Sequence, residues 1–429
     1  MFEMIVGFAV FFGLTILGQE IFLSMAAASA AVLLVQHSDF TAYLIIPQSM
    51  LFGIEGLELA AIPLFILAGE LMNSGGITRR LVLFCRVIIG HIRGGLSLAA
   101  VLVEMVLSGV SGSAVADASA TGTLLIPAMK EDGYDVDYAA ALIASAATIG
   151  PIIPPSIGMI VYGILANVSV GKLFLSGAVP GVLMGLALMG ICYVVARRHN
   201  YSKLPRSSLR EVLRASYDSF LALIMPLIII AGVAFGVVTV TEIAGIAVVY
   251  AAVVGGFIYR EIELADVPRM LADSALMSAV VLITLATANT FGWLMTFLQI
   301  GARLSALVAG ISDNPLVIML VINFFFLLIG CVFEPLPAML IFIPMLLPVV
   351  KSLGIDLVYF GLIIVFDTTM GLLEPPIGLN LYIAATIAKR PVEGVIRKVL
   401  PFYLVLLVVL ILCTCVPEIV LWLPRLIMP

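Results

Sequence analysis

Apolar residues fill stretches of helical length along almost the whole chain, near 2–18, 21–35, 57–74, 138–165, 174–196, 220–238, 243–259, 275–297, 357–388 and 400–421. A helix of about 20 residues crosses a ~30 Å hydrocarbon core, so each stretch predicts a span or two half-spans in series. Two further stretches, 96–129 and 315–350, are equally apolar but broken at their centres, by SGVSGSAVAD at 108–117 and by GCVFEPLP at 330–337. Small, Gly-rich or Pro-rich breaks let a helix turn back. Both stretches therefore predict re-entrant helical hairpins. Irregular backbone at that depth persists only where it is buried in protein or lines a cavity. Two shorter mixed stretches, 40–56 and 262–274, predict interfacial helices at equivalent places in the two halves.

Composition strengthens the membrane assignment. Of 429 residues 63% are hydrophobic and 11% charged, against roughly 25% charged in a soluble domain; the mean hydropathy is +1.24. These values exclude a soluble enzyme, a disordered chain and a nucleic-acid binder. The cysteines (Cys85, Cys192, Cys331, Cys413, Cys415) form no CxxC pair and read as small buried hydrophobes. His37, His91 and His199 are scattered, so no metal cluster is expected. Gly171-Lys172 is followed by Leu173, so no phosphate-binding GxxxxGK[ST] loop is present and direct ATP drive is not expected. The N-terminal MFEMIVGFAVFFG lacks a basic region and is expected to be a retained first helix.

The net charge of -5 matters less than where the charges sit. Arg79, Arg80, Arg86 and Arg93, the connector from Arg197 to Arg214, Arg260 and Arg269, Lys389 to Lys398, and Lys130 all fall on one side of the predicted path. Only Lys172, Arg303, Lys351 and Arg425 fall on the other. Positive residues mark the cytoplasm, so both termini are expected outside. The first hairpin then enters from the cytoplasm and the second from outside, which implies two halves of inverted topology. The connector 197–218 reads as a solvated cytoplasmic link.

An internal repeat agrees. Shifting the chain by 221 residues places 109–155 on 330–376 without a gap, matching Gly109/Gly330, Pro127/Pro348, Lys130/Lys351, Gly133/Gly354, Asp135/Asp356, Tyr138/Tyr359, Thr148/Thr369, Gly150/Gly371, Pro154/Pro375 and Pro155/Pro376. Chance identities in apolar sequence would be mostly Leu, Val and Ala. A shift of 223 aligns the upstream segment, including Gly69/Gly292 and Arg80/Arg303. Each repeat ends in a second break, TIGPIIPPSIG at 148–158 and TMGLLEPPIG at 369–378. Paired hairpins and interrupted helices in inverted repeats are the pattern of secondary transporters. The expected fold is an all-α polytopic membrane protein of elevator type. Its parts are scaffold helices and a first arm in 1–56, a first transport half in 57–165, scaffold, linker and second arm in 166–274, a second transport half in 275–388, and a C-terminal scaffold helix in 389–429. A rigid block would slide the site across; rocking of the repeats about a fixed site is the alternative.

The broken helices also carry the candidate chemistry. Half-helix C-termini present free carbonyls, suited to a small hard cation such as Na⁺, and N-termini present free N–H groups, suited to an anion. Candidate Na⁺ positions are Ser108, Gly109, Ser111, Ser113, Thr148 and Gly150 in the first half. In the second they are Gly330, Val332, Glu334, Thr368, Thr369 and Gly371. Candidate substrate positions are Ser113, Asp117, Pro154, Pro155, Ser156, Glu334, Pro375, Pro376 and Asn380. Asp117 and Glu334 are expected to cap hairpin helices, with Glu334 also able to ligate a cation. Asp367 and Glu374 flank the second helix break, and Glu70 and Glu104 are expected to be buried, hydrogen-bonded or protonated acids. Any single hydroxyl is as well explained by a bond back to its own helix. No clustered nucleophile or metal set indicates an enzyme, and a channel has no need of opposed hairpins.

The motifs AGELMNSGGITRRL (68–81), GHIRGGLSLA (90–99), SGVSGSAVADASATG (108–122), IPAMKEDGYDVDYAAA (126–141), IGPIIPPSIGMIVYG (149–163), GKLFLSGAVPG (171–181) and GLLEPPIGLNLYIA (371–384) resemble the large membrane subunit of tripartite ATP-independent periplasmic (TRAP) transporters, over essentially the whole chain. The resemblance implies Na⁺-driven uptake of a small organic acid across a bacterial inner membrane, with at least two Na⁺ per cycle and no organic cofactor. It implies a small four-helix membrane subunit and a periplasmic substrate-binding protein as partners, and an elevator motion. The family carries Thr where this chain has Glu374. No segment resembling the small subunit precedes residue 1, so an unfused form is expected. A binding-protein-independent Na⁺- or H⁺-coupled carboxylate transporter is the alternative.

Overall fold

The computed structural model describes residues 2–428 except 37–39, 202, 204, 235, 237, 302, 304–309, 311 and 313. His37, among the histidines above, lies outside the described residues. The described residues form helices joined by short turns, with no strand among them. The first unit comprises α1 (Phe2–Ile16), α2 (Ile21–Val35), α3 (Ile45–Phe52), α4 (Ala61–Ser74) and α5 (Ile77–Ile89). The first hairpin follows as α6 (Gly95–Ser111) and α7 (Ala114–Glu131), then the first broken helix as α8 (Val136–Ala146) and α9 (Ile157–Ala166). Three long helices come next: α10 (Val170–Arg198), α11 (Leu209–Ala234) and α12 (Val240–Ala252). The second unit comprises α13 (Val267–Phe297), the hairpin α14 (Pro315–Gly330) and α15 (Pro335–Ser352), and the broken helix α16 (Leu357–Met370) and α17 (Leu379–Ala388). The chain closes with α18 (Val392–Cys415) and α19 (Glu418–Ile427).

Local chemistry sets these boundaries. Ser113, Asp135, Ser156, Asn314 and Asp356 each stand at a helix N-cap and accept a backbone N–H from the first turn. Asp135 and Asp356 are equivalent in the two repeats and open the two broken helices. Asn167 and Lys389 close those helices in the left-handed region, with φ of 55° and 52°. Both Pro pairs, Pro154-Pro155 and Pro375-Pro376, are cis. The repeat read in the sequence is therefore a repeat of backbone geometry.

Seven described helical segments are long and apolar enough to cross a membrane, and others are half-length pieces in series. The protein is an all-helical polytopic membrane protein. Large apolar side chains such as Leu83, Phe257, Leu404 and Val408 lie exposed on its outer surface, as lipid contact requires.

Two expectations need correcting. The second arm is not separate, because 267–274 runs without interruption into 275–297 as α13; Pro268 sits at its start, where proline is tolerated. Of the first basic cluster, Arg79, Arg80 and Arg86 lie on α5, a strongly amphipathic helix, and Arg93 lies in the turn after it. The C-terminal stretch is split at Pro417, leaving α19 as a short amphipathic helix with Trp422 exposed.

The two broken helices interlock. α7 packs on α17, and α15 packs on α9, so the second arm of each hairpin rests on the other repeat's second half-helix. The half-helices also cross-pair, α8 with α17 and α16 with α9. Asn380 on α17 donates to the Ala144 carbonyl of α8 at 3.2 Å. Tyr162 on α9 donates to the Leu357 carbonyl of α16 at 2.7 Å.

Candidate functional site

The first hairpin tip turns on Gly112, with φ of 63°, and its missing side chain leaves room for the Pro155 carbonyl of the first helix break. Ser113 then caps α7, accepting the Ala116 N–H at 3.4 Å, and Ser111 donates to the Asp117 carboxylate. This corrects the expectation for Asp117, which sits in the first turn of α7 while the neighbouring Ser113 does the capping. A Cβ on Gly150 would lie 2.5 Å from the second Asp117 oxygen. Glycine at that position lets the carboxylate reach the break.

Behind the tip, Thr121 donates to Glu104, and Ser108 donates to the Glu104 carbonyl. Glu104 is buried and hydrogen-bonded, as expected, but one oxygen each of Glu104 and Asp117 is buried without a partner among the described residues. Thr148 is buried and turned back on the Ser145 carbonyl at 2.6 Å. Gly109 faces away, its α-carbon against Pro226 of α11, where an added Cβ would lie 2.5 Å from Pro226 Cβ.

The second tip makes the tighter join. A Cβ on Gly330 would lie 2.8 Å from Gly371 Cα and 2.8 Å from a Glu374 oxygen, so hairpin and break touch backbone to backbone. Glu334 stands at the N-cap of α15, but its side chain accepts no capping bond; the expectation that it caps through its carboxylate is corrected. Pro337, at the third helical position, lacks the N–H that a cap would accept, where Ser113 takes that of Ala116 in the first repeat. Val332 is half exposed beside it. Thr368 and Thr369 are buried and donate to Ile364 and Val365 carbonyls at 2.8 and 2.6 Å. Glu374 accepts from Tyr403 on α18 and from the Cys331 thiol at 3.6 Å. Asp367 lies buried above it, facing Asn323 on α14. With the Asn323 amide oriented to satisfy its neighbours, it donates to Asp367 at 3.1 Å and accepts from Thr414 at 2.7 Å.

A cavity of about 430 Å³ joins the two tips. Its floor and rim come from Gly112 to Val115 and Glu334 to Pro337, and its sides from Pro151, Ile157, Thr368, Thr369 and Leu372. α13 closes it with Met277, Val280, Val281, Thr284 and Leu285, and Glu20 reaches its edge. Of the sequence-derived candidates, Ser113, Glu334, Thr368 and Thr369 line this space. Ser156 caps α9, accepting the Met159 N–H at 3.2 Å, and Asn380 bridges α17 to α8; Asp117, Pro154, Pro155, Pro375 and Pro376 also lie outside its walls. The sequence reading missed the Tyr403, Asn323 and Thr414 contacts and the whole α13 wall. Asn323, a lone amide within an apolar run, was the one available signal. A larger recess of about 930 Å³, around Arg80 and Tyr217, touches neither tip nor break. There Arg80 pairs with Glu261 at 2.6 Å and stacks over Tyr259.

Residues 8–419 match the family model for the DctM component of tripartite ATP-independent periplasmic transporters. The chain is 37% identical over 414 residues to the sialic acid TRAP transporter large permease protein SiaM of Vibrio cholerae, covering 96% of each. It is 39% identical over 371 residues to the C4-dicarboxylate TRAP transporter large permease protein DctM of Pseudomonas aeruginosa, covering 86% of this chain and 87% of that one. The crystal structure of the Alcanivorax borkumensis YdaH transporter has the same fold, with a TM-score of 0.66 at 14% identity over 88% of each chain. The chain belongs to the DctM family of TRAP transporters, and it is a membrane transport protein and not an enzyme.

Proposed function

We propose that this subunit carries a small organic acid across the bacterial inner membrane, driven by Na⁺. The observation that carries the reading is the cavity where two hairpin tips and two helix breaks converge. Free carbonyls at 108–113 with 148–151, and at 330–334 with 368–372, form two cation sites, completed by Ser111 and Glu334. The N–H groups of Ala114 and Val115 at the start of α7, and that of Leu336 between Pro335 and Pro337 at the start of α15, hold the substrate carboxylate between them. Each Na⁺ offsets carboxylate charge that the cavity otherwise repels, which couples the two species.

The acid arrives from a periplasmic binding protein, and a small four-helix membrane subunit packs on the outer helices. Both termini lie on the periplasmic side, as the basic residues indicate. The site moves by an elevator motion of 57–165 with 275–388 against 2–35, 174–196 and 220–259. α18 joins the moving part in this reading, because its Tyr403 and Thr414 bond to Glu374 and Asn323.

Proteoliposomes holding this chain and its small subunit, supplied with loaded binding protein, test the proposal. Uptake should require an inward Na⁺ gradient. Uptake at full rate with no Na⁺ on either side would exclude Na⁺ coupling, and uptake of free acid by this chain alone would exclude the tripartite arrangement.

A further inference from the structure

The recess of about 930 Å³ lies where α5, the start of α11 and the stretch after α12 meet. Its walls change polarity in a fixed direction. On α5, Arg79, Leu83 and Val87 follow at four-residue intervals and so share one helix face. On α11 the lining runs from Arg214 through Tyr217 to Phe220 and Leu221. Ile258 adds a third apolar wall. Leu83, Phe220 and Ile258 are 50%, 58% and 53% exposed, so the apolar half opens outward. The charged half holds uncommitted cations. Arg80 is spent on Glu261 and Tyr259, and Glu211 turns back to accept the Ser208 N–H at 2.7 Å. Arg214 meets Asp218 only at 3.9 Å, and both are exposed. Arg79 has no ion pair or hydrogen bond among the described residues. The adjoining connector adds to the positive field, with six Lys and Arg between 197 and 214 against one acid, Glu211.

We propose that this recess binds one anionic phospholipid of the cytoplasmic leaflet, its phosphate between Arg79 and Arg214 and its acyl chains along Leu83, Val87 and Phe220. The inference goes beyond the transport reading and shares only its orientation, in which α5 and the connector face the cytoplasm. Basic clusters at that depth attract anionic headgroups, and guanidinium groups match the geometry of a phosphate. Tyr217, 83% exposed, stands between the arginines and the apolar wall, at the level where amphipathic rings meet the headgroups. A soluble phosphate would engage the arginines and leave the apolar half open to water. A zwitterionic lipid would fill the apolar half but bring a cation of its own to the arginines. An anionic phospholipid satisfies both halves.

Native mass spectrometry of the delipidated full chain tests this, with dioleoyl phosphatidylglycerol, dioleoyl phosphatidylcholine and inorganic phosphate as probes. Phosphatidylglycerol should form one tight adduct at a concentration at least tenfold lower than phosphatidylcholine. Arg79→Gln with Arg214→Gln should weaken that adduct at least fivefold. Arg79→Gln alone, at an exposed and unpaired position that the fold tolerates, should weaken it at least twofold. Arg269→Gln with Arg397→Gln, equally basic sites outside the recess, should leave it within twofold. Equal adducts from the two lipids overturn the inference, as does an unchanged adduct in the Arg79 variants or equal weakening in the distant pair. Inorganic phosphate displacing the lipid at equal concentration would show a soluble-anion site instead. Loss of the adduct once the small membrane subunit is bound would show a protein interface instead.

Discussion

The hydroxyl of Tyr403 donates to the carboxylate of Glu374, tying the last long helix to the second helix break. Its repeat counterpart does not exist, because the position equivalent to Glu374, 221 residues earlier, is Ile153. The two breaks share a backbone but differ in how they are held.

Tyr403→Phe should lower the melting temperature, since it leaves a largely buried carboxylate oxygen unpaired at a cost of ~1–3 kcal/mol. Glu374→Gln keeps an acceptor oxygen for Tyr403 and should cost less than Glu374→Ala. Thermal melts of the three variants check the order, and an unchanged melt for Tyr403→Phe would show that the bond contributes nothing.

Gly330→Ala and Gly371→Ala should each abolish uptake. A Cβ on Gly371 would lie 2.6 Å from Gly330 Cα, and backbone cannot swing aside as a side-chain end can. The hairpin and break must then separate, at a cost of ~1–3 kcal/mol. Gly190→Ala, with nothing within 4 Å of the new methyl, serves as control; in mid-helix it should stabilise by up to ~1 kcal/mol. Uptake and melts of all three distinguish local crowding from a general intolerance of substitution.

Asp135 gives a pH-dependent outcome. Burial pushes its carboxyl up, but the Lys398 ammonium at 2.7 Å and the Asp137 backbone N–H outweigh burial and hold it below the ordinary value of 3.8. A depressed carboxyl contributes stability above its unfolded value and loses it as pH falls through the folded one. Asp135→Asn keeps the capping oxygen and loses the ion pair. The pair is about 40% exposed on each side, with side-chain values of 42% and 39%, so the cost should stay under ~1 kcal/mol. It should be constant at neutral pH and fade below 3.8, as melts across pH will read.

Cysteines replacing Asn323 and Thr414, oxidised to a disulfide in a background without native cysteines, should leave uptake intact. Those residues touch at 2.7 Å across α14 and α18, and the proposed motion carries both helices together. Loss of uptake on oxidation, with reduction restoring it, would return α18 to the static part.

The sequence revealed the parts of this fold that backbone chemistry controls. Gly112, Pro154-Pro155 and Pro375-Pro376 interrupt helices wherever they occur, so the tips and breaks were readable residue by residue. The N-cap Asp135 and Asp356 were visible as a repeat pair for the same reason. What side chains touch across the bundle was not readable. Glu334 and Ser113 are equivalent in the repeat, yet only Ser113 caps, because Pro337 stands where Ala116 offers its N–H to Ser113. Thr284 apart, the α13 wall is Met, Val and Leu, with little local to separate a cavity lining from a lipid contact. Its role comes from where the opposite repeat places the first tip against it.

The cross-pairing of half-helices bears on how the chain is made. α9 packs on α10 but also on α15 and α16, and α8 has one of its partners in α17. The first break, with Asp117 and Thr148 beside it, therefore enters the bilayer 221 residues before its equivalent in the second repeat. At ~5–20 residues per second of synthesis, that is a wait of roughly 10–40 s. Throughout it, the Tyr162 hydroxyl lacks its acceptor, the Leu357 carbonyl of the second repeat. Premature arrest of translation between the repeats thus leaves a half-inserted intermediate with the α15- and α16-facing side of α9 uncovered, the form that membrane quality control would recognise and remove.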